Sequence, residues 1–162
     1  SVVHNGEISS YDANRRYIEM YGYKCNLLTD TEVIAYIADF LVRRRGLTLR
    51  EMSRVIAAPF WSTIERMGPA ERERLTALRN VFSSLLVTGP FSILLGFTGG
   101  IMALNDRLKL RSMIVGEKDD MVYIASEESA IRAIAPELDT VRAPAGGEAV
   151  IYTLEEGTGD VD

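Results

Sequence analysis

The sequence has one cysteine and one histidine in 162 residues, and these two scarcities exclude several kinds of site. A single thiol, Cys25, can form neither an internal disulfide nor a thiolate metal site, so the chain suits a reducing compartment and we expect it in the cytoplasm. With His4 as the one imidazole, we expect no zinc site and predict no bound metal.

An excess of positive charge is also missing. Eighteen Lys and Arg against 23 Asp and Glu give a net charge of −5, whereas binding to a phosphate backbone needs clustered positive charge. We therefore expect no nucleic-acid partner. Residues 81–104 carry no charge, but turn signals at 88–90 and 97–100 interrupt this run, so we expect no membrane span.

The first half of the chain has helical patterns. Capping boxes, in which a threonine hydroxyl accepts from the third helical N–H and a glutamate reaches back, are predicted at residues 29–32 and 48–51. A fourth helix is predicted just after Pro69. Ser9 or Ser10 is predicted to begin the first helix, whose inward positions recur every three to four residues: Ala13, Tyr17, Ile18 and Tyr21.

The second half changes to the period of β-strands. Short connections between these strands favour antiparallel neighbours, and helices kept apart from an antiparallel meander indicate the α+β class. Ser126 is predicted to cap a short helix after the fourth of them. We predict a domain over 1–154 and a flexible polar tail over 155–162. The predicted strands cover residues 91–96, 101–104, 108–115, 121–125 and 149–154.

Two motifs at a defined spacing carry a family resemblance. Residues 2–8 read Val-Val-His-Asn-Gly-Glu-Ile, and residues 22–34 read Gly-Tyr-Lys-Cys-Asn-Leu-Leu-Thr-Asp-Thr-Glu-Val-Ile. Together they resemble the class II glutamine amidotransferases, which are N-terminal-nucleophile hydrolases, and segments 89–92, 103–107 and 124–130 continue the resemblance in register. Within this family, the residues of these motifs are most similar to those of the glutaminase domain of glutamate synthase, particularly its stand-alone versions.

The resemblance implies a fold, an activity and a set of site residues. The fold is an αββα sandwich with antiparallel sheets, and the activity is hydrolysis of the glutamine side-chain amide with delivery of ammonia to a synthase partner. The Asn5 amide and the Gly6 N–H would stabilise the oxyanion, and Asp30 would hold the substrate α-ammonium. His4 would be an orienting or packing residue beside the oxyanion site rather than a general base. From the residues alone, Asn5-Gly6 is also a tight turn, and Asp30 also suits a helix N-terminus.

The resemblance places the nucleophile, an N-terminal cysteine, and an Arg-containing segment that grips the α-carboxylate upstream of the Asn-Gly motif. We therefore expect residues 1–154 to be the C-terminal part of a glutamine amidotransferase type 2 domain, with the fold incomplete at its N-terminus and this chain inactive alone. The start of the chain, Ser1-Val2-Val3, also has the pattern of a strand, and Ser1 lies only four residues before Asn5 on it. A strand this short cannot fold back to bring both residues to one carbonyl carbon.

The expected partners are L-glutamine, a synthase domain or subunit that accepts ammonia, and the missing N-terminal segment of the same domain. FMN and iron–sulfur clusters would belong to the synthase, and we expect no cofactor in this chain. Two other functions stay open. One is a non-catalytic module of the same fold that senses glutamine or braces a synthase. The other is a scaffold with chance motifs, which a placement of Asn5 and Asp30 on opposite faces would favour.

Overall fold

The computed structural model describes residues 1–154, and the predicted tail at 155–162 lies outside the described residues. The described residues form six α-helices and seven strands. The helices are α1 (Tyr11–Glu19), α2 (Asp30–Ala38), α3 (Leu49–Ile56), α4 (Trp61–Ile64), α5 (Pro69–Val81) and α6 (Glu128–Arg132). A π-helix (Asp39–Arg44) continues α2, and a 3₁₀-helix (Ser83–Leu85) follows α5. The strands are β1 (Val2–Gly6), β2 (Phe91–Phe97), β3 (Gly100–Asn105), β4 (Ile114–Lys118), β5 (Met121–Ala125), β6 (Thr140–Arg142) and β7 (Ala149–Thr153).

The strands form two antiparallel sheets between layers of helix. The first sheet has the order β1-β2-β3-β7 and the second the order β5-β4-β6. One face of the first sheet, with Ile93 and Met102, packs against the helices of the N-terminal half in the larger core. Its other face, with Ala103, meets Val115 of the second sheet in a smaller core, and α6 packs on the second sheet beyond. This layered α+β arrangement is the predicted one.

The capping box at residues 48–51 is complete, and the box at 29–32 is half formed. The Thr29 hydroxyl accepts from the Glu32 N–H at 3.3 Å, which caps α2 as predicted. The Glu32 carboxylate, however, accepts from the N–H groups of Asn26 and Leu27, at 3.0 and 2.8 Å, instead of reaching back to Thr29. Glu32 therefore holds the loop before α2, which fixes the approach of the chain to Asp30.

The inward face of α1 differs from the prediction. Ala13 is exposed and Asn14 is buried, because the Asn14 amide donates to the Ser84 carbonyl at 2.8 Å. The Ser10 hydroxyl does not cap the helix: it donates to Asn14 Oδ1 at 2.6 Å and accepts from the Thr88 N–H at 3.0 Å. A polar contact between distant segments thus decides which face of α1 is buried. The spacing of apolar residues along α1 cannot predict such a contact.

The predicted strand at 108–115 is wrong for most of its length, since β4 begins at Ile114. The residues between Asp106 and β4 instead form a loop, because the buried Asp106 carboxylate accepts hydrogen bonds from backbone N–H groups. Such local bonds compete with strand pairing. The donors are Phe91, Leu108, Leu110 and Arg111. The three-residue strand β6, which pairs with β4, was not predicted because it is too short to show a period.

The cap of α3 makes a pH-dependent contribution to stability. The Arg74 guanidinium, with the N–H and hydroxyl of Thr48, lowers the pKa of Glu51 to about 2 from an ordinary value of 4.5. Because the folded-state pKa is the lower one, this contribution is complete above about pH 4.5 and is lost as the pH falls toward 2. Urea unfolding from pH 6 to pH 2.5 should therefore show a smaller loss of stability for Glu51→Gln than for the wild type.

Glu73→Gln is the matched control, because Glu73 is an exposed glutamate on α5. It should keep the wild-type pH dependence over the same range. Equal pH dependence of Glu51→Gln and the wild type would contradict the role of the cap.

Candidate functional site

Strand β1 forms one edge of the first sheet among the described strands. Ser1 exchanges two backbone hydrogen bonds of 2.9 Å with Gly96, and the Glu7 N–H donates to the Pro90 carbonyl at 3.0 Å. The register between these points is uninterrupted, and in an antiparallel pair every second residue of a strand bonds to its partner. The N–H of Gly6 therefore points away from β2, toward the open edge of the sheet.

Gly6 occupies a position that admits no side chain. Its φ is +143°, a region that residues other than glycine rarely adopt. A Cβ atom at this position would lie 2.0 Å from the Pro90 carbonyl oxygen and 2.9 Å from the Phe91 Cα. The close approach of β1 to the start of β2 thus requires glycine and fixes the direction of the N–H group that faces the edge.

The Asn5 side chain lies on the face of β1 that looks toward the second sheet. Its amide Nδ2 donates to the Ser126 hydroxyl oxygen at 3.1 Å, and its partner in the register with β2 is Ser92. Ser126 directly follows β5, so a strand end of the second sheet meets the edge strand of the first. The two side chains line a cavity of about 110 Å³, with Val3, Ser92, Leu94, Ser112, Met113, Ile124 and Ala125.

Asp30 and His4 form a pair on the opposite side of β1. His4 Nδ1 lies 3.2 Å from Asp30 Oδ1, and the His4 side chain is 2% exposed. Asp30 is the first residue of α2, where the helix dipole stabilises its carboxylate, and its Oδ2 accepts from the Ile8 N–H at 3.4 Å. The Asp30 side chain is 25% exposed, so its carboxylate is open to a ligand.

The structure therefore brings two of the predicted site residues together and sets the others apart. His4 and Asp30 are in contact, while the Asn5 amide lies on the other face of β1 because successive side chains of a strand alternate. The Gly6 N–H points outward between the two faces. A ligand that contacts Asn5, Gly6 and Asp30 together has to lie across the open edge of β1.

Neither Ser1 nor Cys25 is placed as a nucleophile at this edge. Cys25 is 4% exposed, and its burial raises the pKa of the thiol, which makes it a weak nucleophile. Ser1 lies opposite Gly96, four residues along the strand from Asn5, which is about 13 Å at roughly 3.3 Å per residue.

Within residues 1–154, no group of three or more His, Cys, Asp or Glu side chains is arranged to hold a metal ion. None of the helices described there has the length and apolar character needed to cross a membrane.

Nothing in the sequence indicates that Ser126 lies beside Asn5. We predicted that Ser126 caps a helix, but the cap residue of α6 is Glu127 and the Ser126 hydroxyl accepts from Asn5 instead. The two residues are 121 positions apart, and only the packing of one sheet on the other brings them together.

Comparisons with known proteins bear on the fold and the relatives of the chain. No model of a known protein family matches it. A protein of Archaeoglobus fulgidus described as uncharacterized is 48% identical over 155 residues, which are 96% of this chain and 41% of that protein. A protein of Methanothermobacter thermautotrophicus named "Putative glutamine amidotransferase" is 29% identical over 157 residues, 95% of this chain and 41% of that protein.

Solved structures give the fold. The glutamine phosphoribosylpyrophosphate amidotransferase of B. subtilis, complexed with ADP and GMP, superimposes with a TM-score of 0.59 at 18% identity. The match covers 94% of this chain and 26% of that one. This likeness confirms the predicted N-terminal-nucleophile hydrolase fold. The chain spans less than half the length of the relatives named here, and the narrower resemblance to glutamate synthase stays a prediction.

Proposed function

We propose that this chain, a relative of the class II glutamine amidotransferases with their N-terminal-nucleophile hydrolase fold, carries part of a site that hydrolyses the side-chain amide of glutamine. The observation that carries the proposal is the edge of β1, where the Gly6 N–H faces outward beside the Asn5 amide. Two preorganised donors at one carbonyl oxygen are what a tetrahedral oxyanion needs, because they meet the charge where it develops.

Each site residue has a separate task in this proposal. The substrate lies across the edge of β1, with its amide carbonyl at Asn5 and Gly6 and its α-ammonium at the Asp30 carboxylate. His4 orients that carboxylate from its buried position. A thiol attacks the amide carbon and its proton passes to the amide nitrogen, so that a C–S bond forms and ammonia leaves as the C–N bond breaks. Water then hydrolyses the thioester and returns the thiol, so that glutamine and water give glutamate and ammonia. The buried Cys25 is unsuited to this attack. We assign the attack to an N-terminal cysteine outside these 162 residues.

The ammonia passes to a synthase domain or subunit in this proposal, as in glutamate synthase. We assign no cofactor to this chain, and FMN and iron–sulfur chemistry to the synthase. A second candidate acceptor of the ammonia is phosphoribosyl pyrophosphate, because one solved structure with the same fold is a phosphoribosylpyrophosphate amidotransferase. The lone buried thiol suits a reducing compartment, which supports a cytoplasmic location.

A non-catalytic module of the same fold is the second candidate. Such a module would bind glutamine, or brace a synthase subunit, without hydrolysing the amide. The third candidate is the scaffold with chance motifs, and the placement of the Asn5 amide and the Asp30 carboxylate on opposite faces of β1 is the observation that favours it.

The candidate functions are distinguished by measuring how much ammonia and glutamate the full-length protein releases from glutamine. Equal amounts of both products support the proposed hydrolysis, and a rate that rises with phosphoribosyl pyrophosphate or with an added synthase subunit identifies the acceptor. Glutamine binding by calorimetry without ammonia release would support the sensing module. Neither binding nor release would leave the bracing or scaffold function.

The Asp30 assignment predicts a change in substrate affinity. Asp30→Asn in the full-length protein should raise KM for glutamine by about 10- to 100-fold, the effect of losing one charge-assisted contact, with kcat within about threefold of the wild type. Asp12→Asn is the matched control, since Asp12 is an exposed aspartate in the first turn of α1 and makes the same kind of helix-dipole interaction. A loss of kcat at unchanged KM would contradict the assignment.

A further inference from the structure

The hydroxyl of Ser126 is the one hydrogen-bond partner of the Asn5 side chain among the described residues. The bond joins the two sheets at their shared edge, because Asn5 lies on the edge strand of the first and Ser126 follows the edge strand of the second. It uses one of the two N–H groups of the amide. The other N–H has no partner among the described residues and stays available to a ligand.

Asn5 has few other constraints on its side chain. The residue is exposed, and an asparagine amide turns easily about its terminal bond because that torsion has a broad energy minimum. An oxyanion donor has to point at the reacting oxygen before the charge develops, since its contribution depends on preorganisation. Some fixed group must therefore hold the amide in one orientation.

We propose that Ser126 is a positioning residue that holds the Asn5 amide in the orientation of an oxyanion donor. The inference rests on the proposed glutamine hydrolysis and extends it to a residue from the other sheet. A second feature supports it: a row of polar side chains continues from Asn5 across the first sheet. Asn105 Nδ2 donates to Ser92 Oγ at 3.0 Å, and Ser92 Oγ donates to the Ser112 carbonyl at 3.3 Å. Ser92, which faces Asn5 in the register with β2, is thus itself held in place by hydrogen bonds.

The test is the steady-state kinetics of glutamine hydrolysis by the full-length protein. Ser126→Ala should lower kcat about tenfold while KM stays within about twofold, because the Asn5 amide remains but loses its fixed orientation. Ser126→Thr keeps the hydroxyl and should restore most of the rate. In an Asn5→Ala background, Ser126→Ala should cost nothing further, since the group it positions is gone.

Ser129→Ala is the control for a general disturbance of this segment. Ser129 is an exposed serine on α6 whose hydroxyl bonds to Glu127, and its removal should leave kcat unchanged. An unchanged kcat in Ser126→Ala, or the same loss in the Asn5→Ala background, overturns the positioning role while leaving the hydrolysis in place. A wild-type protein that releases no ammonia from glutamine overturns the proposed function and this inference with it.

Discussion

Asn5→Ala in the full-length protein is expected to lower kcat for glutamine by about 10²–10³-fold, with a much smaller change in KM. The reason is that an oxyanion donor acts on the charge that forms in the transition state, and the loss of one such donor typically has this size. The Asn5 amide has no structural task other than its bond to Ser126 among the described residues, so the folded state should persist. Ammonia release at several glutamine concentrations separates kcat from KM.

Two further variants make this result specific. Asn5→Asp keeps the size of the side chain but replaces the donor with a carboxylate that can only accept hydrogen bonds, so it should lose at least as much activity. Asn80→Ala is the control, because Asn80 is an exposed asparagine on α5, remote in the sequence from the edge of β1. If Asn5→Ala retained the wild-type kcat, the oxyanion role would be wrong.

Gly6→Ala is expected to lower the free energy of unfolding by about 3 kcal/mol or more. An alanine at a φ of +143° is strained, which costs about 1–3 kcal/mol, and its Cβ would also lie 2.0 Å from the Pro90 carbonyl oxygen. The three atoms nearest to that Cβ are all backbone atoms of Pro90 and Phe91, so the clash can be relieved only by parting β1 from β2. Urea unfolding at pH 7 measures the loss.

Gly46→Ala separates the two parts of this cost. Gly46 also has a positive φ, of +70°, but a Cβ there would meet no atom within 4 Å. It should therefore pay only the strain of the left-handed conformation, about 1 kcal/mol. If Gly6→Ala were no more destabilising than Gly46→Ala, the close approach of β1 to Pro90 would not be the constraint that the structure indicates. In the full-length protein Gly6→Ala should also lower kcat, because the displaced strand carries the second donor with it.

The parts of the fold that were predicted correctly depend on neighbours in the sequence. The capping box of α3, the start of α5 at Pro69 and the strands β2, β3 and β5 all follow from local hydrogen bonds or a local period. The errors arose where a polar side chain bonds to a distant or irregular segment. Asn14 turned the face of α1, and Asp106 replaced the first part of a predicted strand with a loop.

The candidate site also combines features that depend on neighbours in the sequence with features that depend on packing. Alternation along β1 already implied that the side chains of His4 and Asn5 face opposite ways, so this separation was within reach of the sequence. The contact between His4 and Asp30 was not, because it depends on how α2 packs on the sheet. Nor was the outward direction of the Gly6 N–H, which follows from the register with β2 and from the position of β1 at the edge.

The sequence by itself determined that Asp30 begins a helix, because a helix cap is encoded by residues a few positions apart. Asn5 and Gly6, for which the residues alone also allowed a tight turn, are instead the last two residues of β1. Only the tertiary structure decided that a serine 121 positions away would hold the Asn5 amide and that an open strand edge would separate it from Asp30. Those outcomes depend on which apolar faces bury one another, and that is a property of the whole packed chain.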